Sequence, residues 1–141
     1  MAFDKLAWQR AQRRRTGNAS TRRYEKTPRG FLVRAYRNMQ SRVLGLTKPH
    51  LYKGLSLLPR EQFYRWSLND PAFNYLYRVW VQSKYDRRLS PSINRIDPAR
   101  GYDADNIEWV THSVNSSLGA RNAYRKTKVR RCIERLACLT N

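Results

Sequence analysis

Cysteine is almost missing from this chain. Cys132 and Cys138 are its only two, too few for a disulfide framework or for a zinc site built from four cysteines. Lying close together near the end of the chain, they read as apolar filler in a terminal helix. No apolar run approaches the roughly 18 residues that span a bilayer. The start of the chain is polar and arginine-rich, without the apolar segment of a secretory signal. These absences point to the reducing cytoplasm and to no membrane partner. Acids are scarce as well: ten Asp and Glu stand against 29 Lys and Arg, for a formal charge of +19 and a pI near 10.9. A surface so positive has a polyanion as its natural partner.

The positive charge is concentrated at the two ends. Residues 1–40 hold eleven Lys and Arg against Asp4 and Glu25, and residues 117–141 hold seven against Glu134 alone. Arg13, Arg14, Arg15, Arg22 and Arg23 in the first arm are candidate phosphate contacts, as are Arg121, Arg125, Lys128, Arg130 and Arg131 in the second. The plain alternative is a pair of solvated tails that keep the chain soluble. Half of the acids, Asp86, Asp97, Asp103, Asp105 and Glu108, fall within one stretch of 23 residues, where they serve either a cation site or a polar loop.

Four regions follow one another. Residues 1–26 lack sustained apolar periodicity and read as a basic arm, flexible or partly helical. Residues 27–88 read as helical. Thr27 can cap and Pro28 suits a first helical position; Phe31, Ala35, Met39 and Val43 then recur every fourth residue until Gly45. A loop through Lys48, Pro49 and His50 leads to a short helix from about Pro59 with Phe63 and Trp66 on one face. Asp70 and Pro71 open another, striped by Phe73, Leu76, Tyr77 and Trp80. Residues 89–120 change character: a short strand centred on Ser92 and Ile93, a polar loop over 97–105, a second strand over 107–110, and a helix capped by Thr111 and carrying Val114, Asn115 and Leu118. Residues 121–141 read as a basic tail with a last helix around Val129, Ile133 and Leu136. The expected fold class is α+β, a small and mostly helical domain with a C-terminal ββα unit.

Residues 91–115 read PSINRIDPARGYDADNIEWVTHSVN. This resembles the phage and homing-endonuclease branch of the HNH, or ββα-metal, nucleases, in which a strand carrying Asp-His-Ile-Asp or Asp-Arg-Ile-Asp precedes a Gly-Tyr loop. There the loop leads to Asp-Asn-Ile/Leu-x-Trp-Val and an Asn just inside the next helix. The likeness is close over about 25 residues and looser over 54–85. It implies a divalent metal, Mg²⁺ or Mn²⁺, between Asn94, Asp97 and Asn115, with Asn106 holding the loop and Trp109 packing. In such a hairpin and helix, one hard cation can bridge a non-bridging phosphate oxygen and the leaving 3′ oxygen.

Two positions depart from that pattern. Asn94 offers a neutral carbonyl where the family has a carboxylate or imidazole. Arg95 occupies the place of the basic His, and a guanidinium stays protonated at neutral pH. Arg95 then suits a phosphate clamp, leaving His112, His50, Asp97 or metal-bound water as proton acceptor, with His112 favoured by its place beside Asn115. Each has an ordinary counterpart: surface histidines, an Arg95–Asp97 ion pair pinning the hairpin, and Asp103, Asp105 and Asn106 as turn-formers. Tyr64, Trp66, Tyr75, Tyr77, Trp80 and Tyr85 either form the core or stack on splayed bases, the latter favouring single-stranded or RNA substrates. The expectation is a metal-dependent DNA endonuclease or nickase; the alternative is a non-catalytic nucleic-acid-binding protein with a degenerate metal site.

Overall fold

The structure, a computed structural model, describes residues 4–138, with side chains of the last helix through Tyr124 and at Lys128. Asp4 accepts from the backbone N–H groups of Leu6 and Ala7 and caps α1 (Lys5–Thr16), which ends at Gly17 in the left-handed region. The first arm is thus helical, and continues as α2 (Ala19–Glu25). It is fastened to the body at its far end. The Tyr77 hydroxyl donates to the Lys26 carbonyl, and a Cβ on Gly30 would lie 2.0 Å from the Tyr24 carbonyl oxygen, so the chain crosses there where no side chain fits.

The helical middle follows its punctuation. Thr27 accepts from Gly30 N–H at 3.1 Å and opens α3 (Pro28–Val43), with Pro28 at its start. Gly45 (φ +80°) turns the chain out. The segment expected as a loop contains one helical turn, α4 (Pro49–Tyr52). Next come α5 (Arg60–Asn69) and α6 (Pro71–Gln82), divided by Asp70, which ends one and caps the other through Ala72 N–H at 2.8 Å. A 3₁₀ turn (Arg87–Leu89) leads into β1 (Pro91–Arg95), which pairs antiparallel with β2 (Ile107–Thr111), Ile93 opposite Trp109 and Asn94 opposite Glu108. Thr111 accepts from Val114 N–H and starts α7 (His112–Cys138). The helix expected to end before a separate last helix instead runs on as α7 without a second start; no proline interrupts it. Among the described residues no helix is long and apolar enough to cross a membrane.

A lone hairpin is marginal in water and needs an apolar partner. Ile93, Ile107 and Trp109 provide the buried face. The Trp109 indole lies 4.7 Å from the Phe73 ring, 6.1 Å from Phe63 and 6.3 Å from Phe31, and so joins the hairpin to α6, α5 and α3. Aromatic pairs of this kind add about 0.5–1.5 kcal/mol each beyond area burial. The middle-region aromatics are therefore mostly core, with Tyr64 and Trp80 buried and Trp66 and Tyr77 half-buried; Tyr75 and Tyr85 remain exposed.

The long loop between the strands is held by one buried amide. Asn106 Oδ1 accepts from Asp97 N–H at 2.8 Å, while its Nδ2 donates to the carbonyls of Asp97 (3.1 Å) and Gly101 (2.8 Å). Next to it Gly101 passes so close to Ser56 that a Cβ would sit 2.3 Å from the Ser56 carbonyl oxygen. Tyr102 then pairs with the 56–58 segment, donating to Ser56 O (2.8 Å) and accepting from Leu58 N–H (2.9 Å). Asn106→Ala should lower unfolding free energy by about 2–4 kcal/mol through the lost bonds and the carbonyls left bare. Gly101→Ala should cost about 3 kcal/mol or more by overlap. Urea denaturation followed by tryptophan fluorescence checks both; midpoints equal to wild type would show that the loop is not held this way.

Candidate nucleic-acid cleft

Alternation along β1 sends Ile93 inward and leaves Ser92 and Asn94 on the face that α7 approaches. Asn115, one turn into α7, reaches back to that strand: its Nδ2 donates to Ser92 Oγ (2.7 Å) and to the Ile93 carbonyl (3.0 Å). Both amide hydrogens are directed into β1, which leaves Oδ1 as an acceptor. Asn94 Nδ2 likewise donates across the hairpin to Glu108 at 2.7 Å and leaves its own Oδ1 unengaged. A cleft of about 740 Å³ opens between β1, the start of α7 and the α3–α4 connection. Asn94, Arg95, His112 and Asn115 line it from one side, and Arg42, Lys48, His50 and Tyr52 from the other.

Positive charge in this cleft is held without being neutralised. Arg95 lies 4.2 Å over the Tyr52 ring and 5.7 Å from the Tyr102 ring, and donates to the Arg100 carbonyl at 2.9 Å. Arg42 lies 5.1 Å over Tyr52 and donates to the Tyr102 hydroxyl at 3.0 Å. Tyr52 and Tyr102 are themselves stacked, 6.0 Å apart and 2° from parallel. Rings and carbonyls fix a guanidinium in place yet leave its charge for a ligand. Among the described residues no Asp or Glu lines the cleft.

The acids of the 86–108 stretch are engaged elsewhere. Arg88 donates to Asp86 and holds that carboxyl below its ordinary range; Arg100 does the same for Asp105, and lies 3.7 Å from Asp103. Glu108 takes the Asn94 amide. Asp97, expected as a metal ligand and a candidate proton acceptor, caps the turn through Oδ1, which accepts from Ala99 N–H at 2.9 Å, and it is not among the residues lining the cleft. The four ion pairs among the described residues do not include Arg95 with Asp97.

Comparison of the chain with protein-family models, curated proteins and solved structures finds no match. The donor set therefore has to be judged on its own chemistry. Among the described residues no three His, Cys, Asp or Glu side chains cluster as a metal site. The cleft offers the amide oxygens of Asn94 and Asn115, with that of Asn122 further along its lining. Those suit a hydrated hard cation only where a phosphate supplies the anionic ligand, since Mg²⁺ keeps several waters and binds through few protein oxygens plus substrate phosphates.

Of the expected site residues, Asn94, Arg95, His112 and Asn115 come together, with His50 facing them across the cleft. Asn106 and Trp109 are buried structural residues. Arg13, Arg14, Arg15, Arg22 and Arg23 are exposed on α1 and α2, and Arg121 and Lys128 on α7, none of them lining the cleft. The side chains of Arg125, Arg130 and Arg131 lie outside the described ones, as do those of Cys132 and Cys138. Arg42, Lys48 and Tyr52 were not anticipated. Burial pushes the Tyr102 phenol above its ordinary pKa, and the Arg42 charge and hydrogen bond pull it partly back. Arg42→Met should therefore raise the Tyr102 pKa further and cost about 1–3 kcal/mol for the hydroxyl left without its partner. A spectrophotometric tyrosine titration compared with a Tyr102→Phe control reads the first; an unshifted curve would separate Arg42 from Tyr102.

Proposed function

We propose that the chain is a metal-dependent nuclease of the ββα type, hydrolysing phosphodiester bonds in DNA. The observation that carries this reading is the meeting of Asn94, Arg95, His112 and Asn115 in one acid-free cleft faced by Arg42, Lys48 and His50. Arg95 and Arg42 clamp the scissile phosphate and offset its charge. An imidazole, His112 or His50, accepts the proton of the attacking water; neither side chain has a hydrogen-bond partner among the described residues. Asn94 and Asn115 would hold the cation, Mg²⁺ or Mn²⁺, through their amide oxygens, and it would supply Lewis-acid chemistry there when bound. The basic faces of α1, α2 and α7 add sequence-independent phosphate contacts with a strong salt dependence.

The missing carboxylate favours a second reading, a DNA-binding protein that keeps the ββα shell without cutting. Supercoiled plasmid incubated with Mg²⁺ or Mn²⁺ separates the two. The nuclease converts it to open-circular or linear form, loses this with EDTA, and loses it about 100-fold or more in Asn115→Ala; binding without any strand break under either metal selects the second reading. Asn94→Asp should lower the Mg²⁺ concentration needed for half-maximal nicking, because a carboxylate binds a hard cation better than an amide. An unchanged or higher requirement would remove position 94 from the metal site. Comparing His112→Ala with His50→Ala identifies the base: the variant whose nicking is rescued by added imidazole is the proton acceptor.

A further inference from the structure

The cleft does not end at His112. A second chamber, of about 540 Å³, lies between α3, α6 and the start of β1 and shares Arg42, Ser92, Ile93 and His112 with the first. Its character differs. The apolar part is provided by Ala35, Met39, Trp80 and Trp109, and the polar part by Asn38, Arg34, Arg42 and Arg87, with no acid in its lining. Arg34 is partly neutralised by Glu25 at 3.4 Å, whereas Arg87 is exposed and has no ion-pair partner among the described residues.

Two further features bear on what the chamber holds. The indoles of Trp80 and Trp109 both line it by their ring carbons, their N–H groups being closed off from solvent. And Tyr85 is set at its edge by an uncommon backbone: Lys84 (φ +57°) and Tyr85 (φ +66°) are consecutive non-glycine residues in the left-handed region, a conformation that persists only where the surroundings impose it. The outcome is an exposed ring standing edge-on to Trp80 at 5.0 Å, with Lys26 Nζ 4.2 Å from its centroid.

From this we infer that the second chamber receives an unstacked nucleotide of the strand whose phosphate lies in the first cleft, so that DNA with an unpaired base beside the cut is preferred over fully paired duplex. The proposal rests on the nuclease reading for the position of that phosphate. A flat ring fits a floor of indole and aliphatic groups, acceptors at its edge fit the Asn38 amide, and its flanking phosphates fit Arg42 and Arg87. Extruding a base from a paired stack is costly, and least so where it is already unpaired. An aromatic side chain at the mouth repays part of that by stacking, without regard to base identity.

Fluorescence anisotropy of the full chain in EDTA, where no cutting occurs, compares a short duplex containing one unpaired nucleotide with its fully paired counterpart. The wild type should bind the first about tenfold more tightly. Tyr85→Ala removes the ring and Asn38→Trp, at an exposed helical position, fills the chamber; each should shrink the preference to about twofold or less, with urea midpoints confirming that the variants fold. Equal binding of the two duplexes by wild type, or a preference that survives in both variants, overturns the proposal. The readout is independent of cleavage: a preference without nicking under Mg²⁺ or Mn²⁺ keeps the chamber and removes the nuclease, whereas nicking without a preference does the reverse.

Discussion

One buried amide governs the arrangement of the site. Asn106 closes the 97–105 loop through Asp97 and Gly101, and each later step depends on it. Gly101 then meets Ser56, Tyr102 pairs beside Leu57, and the Tyr102 ring stacks on Tyr52 while its hydroxyl receives Arg42. Arg95 settles over Tyr52. A loop with no ladder of its own would otherwise pay chain entropy for every residue it orders. The hairpin and the distant α3–α4 connection meet through these contacts.

The electrostatics follow from the same architecture. The loop draws the nearby acids into its own geometry: Asp97 into the turn, Asp103 and Asp105 onto Arg100, Glu108 onto Asn94. Aromatic rings and backbone carbonyls position Arg42 and Arg95 instead of carboxylates. Charge separated in this way produces a local excess of positive potential within a chain already at +19, and a concave wall focuses that field. The same partition keeps these carboxylates out of the cleft lining among the described residues.

Much of the fold could be read from short-range rules, because Thr27-Pro28, Asp70-Pro71 and Thr111 punctuate helices through contacts within three residues. The hairpin was legible for a similar reason, strand, loop and strand being contiguous; the loop-holding role of Asn106 came from the resemblance, with its turn-forming propensity as the ordinary counterpart. What escaped was long-range. Arg42 meets Tyr102 across a separation of 60 residues, and nothing in helical periodicity singles it out. Asp97 was placed by its resemblance to a ligand position, and the turn contact of its Oδ1 with Ala99 N–H two residues away could not be told from that role in sequence. The last helix was divided at the end of its apolar repeat, although the backbone of α7 needs no repeat to continue, only the absence of a breaker.

That continuity makes α7 a ruler. His112 and Asn115 mark its zero, beside the cleft, and at 1.5 Å per residue Lys128 stands about 24 Å further along the same rod. On a duplex that distance corresponds to about seven base pairs. Since the rod leaves the cleft in one direction, a protein bound at a scissile phosphate would have a lopsided footprint, extended on one flank and short on the other. On the proposed nuclease reading, such asymmetry would impose a polarity on where a break falls relative to the covered stretch, set by the length of a helix and without reading a single base.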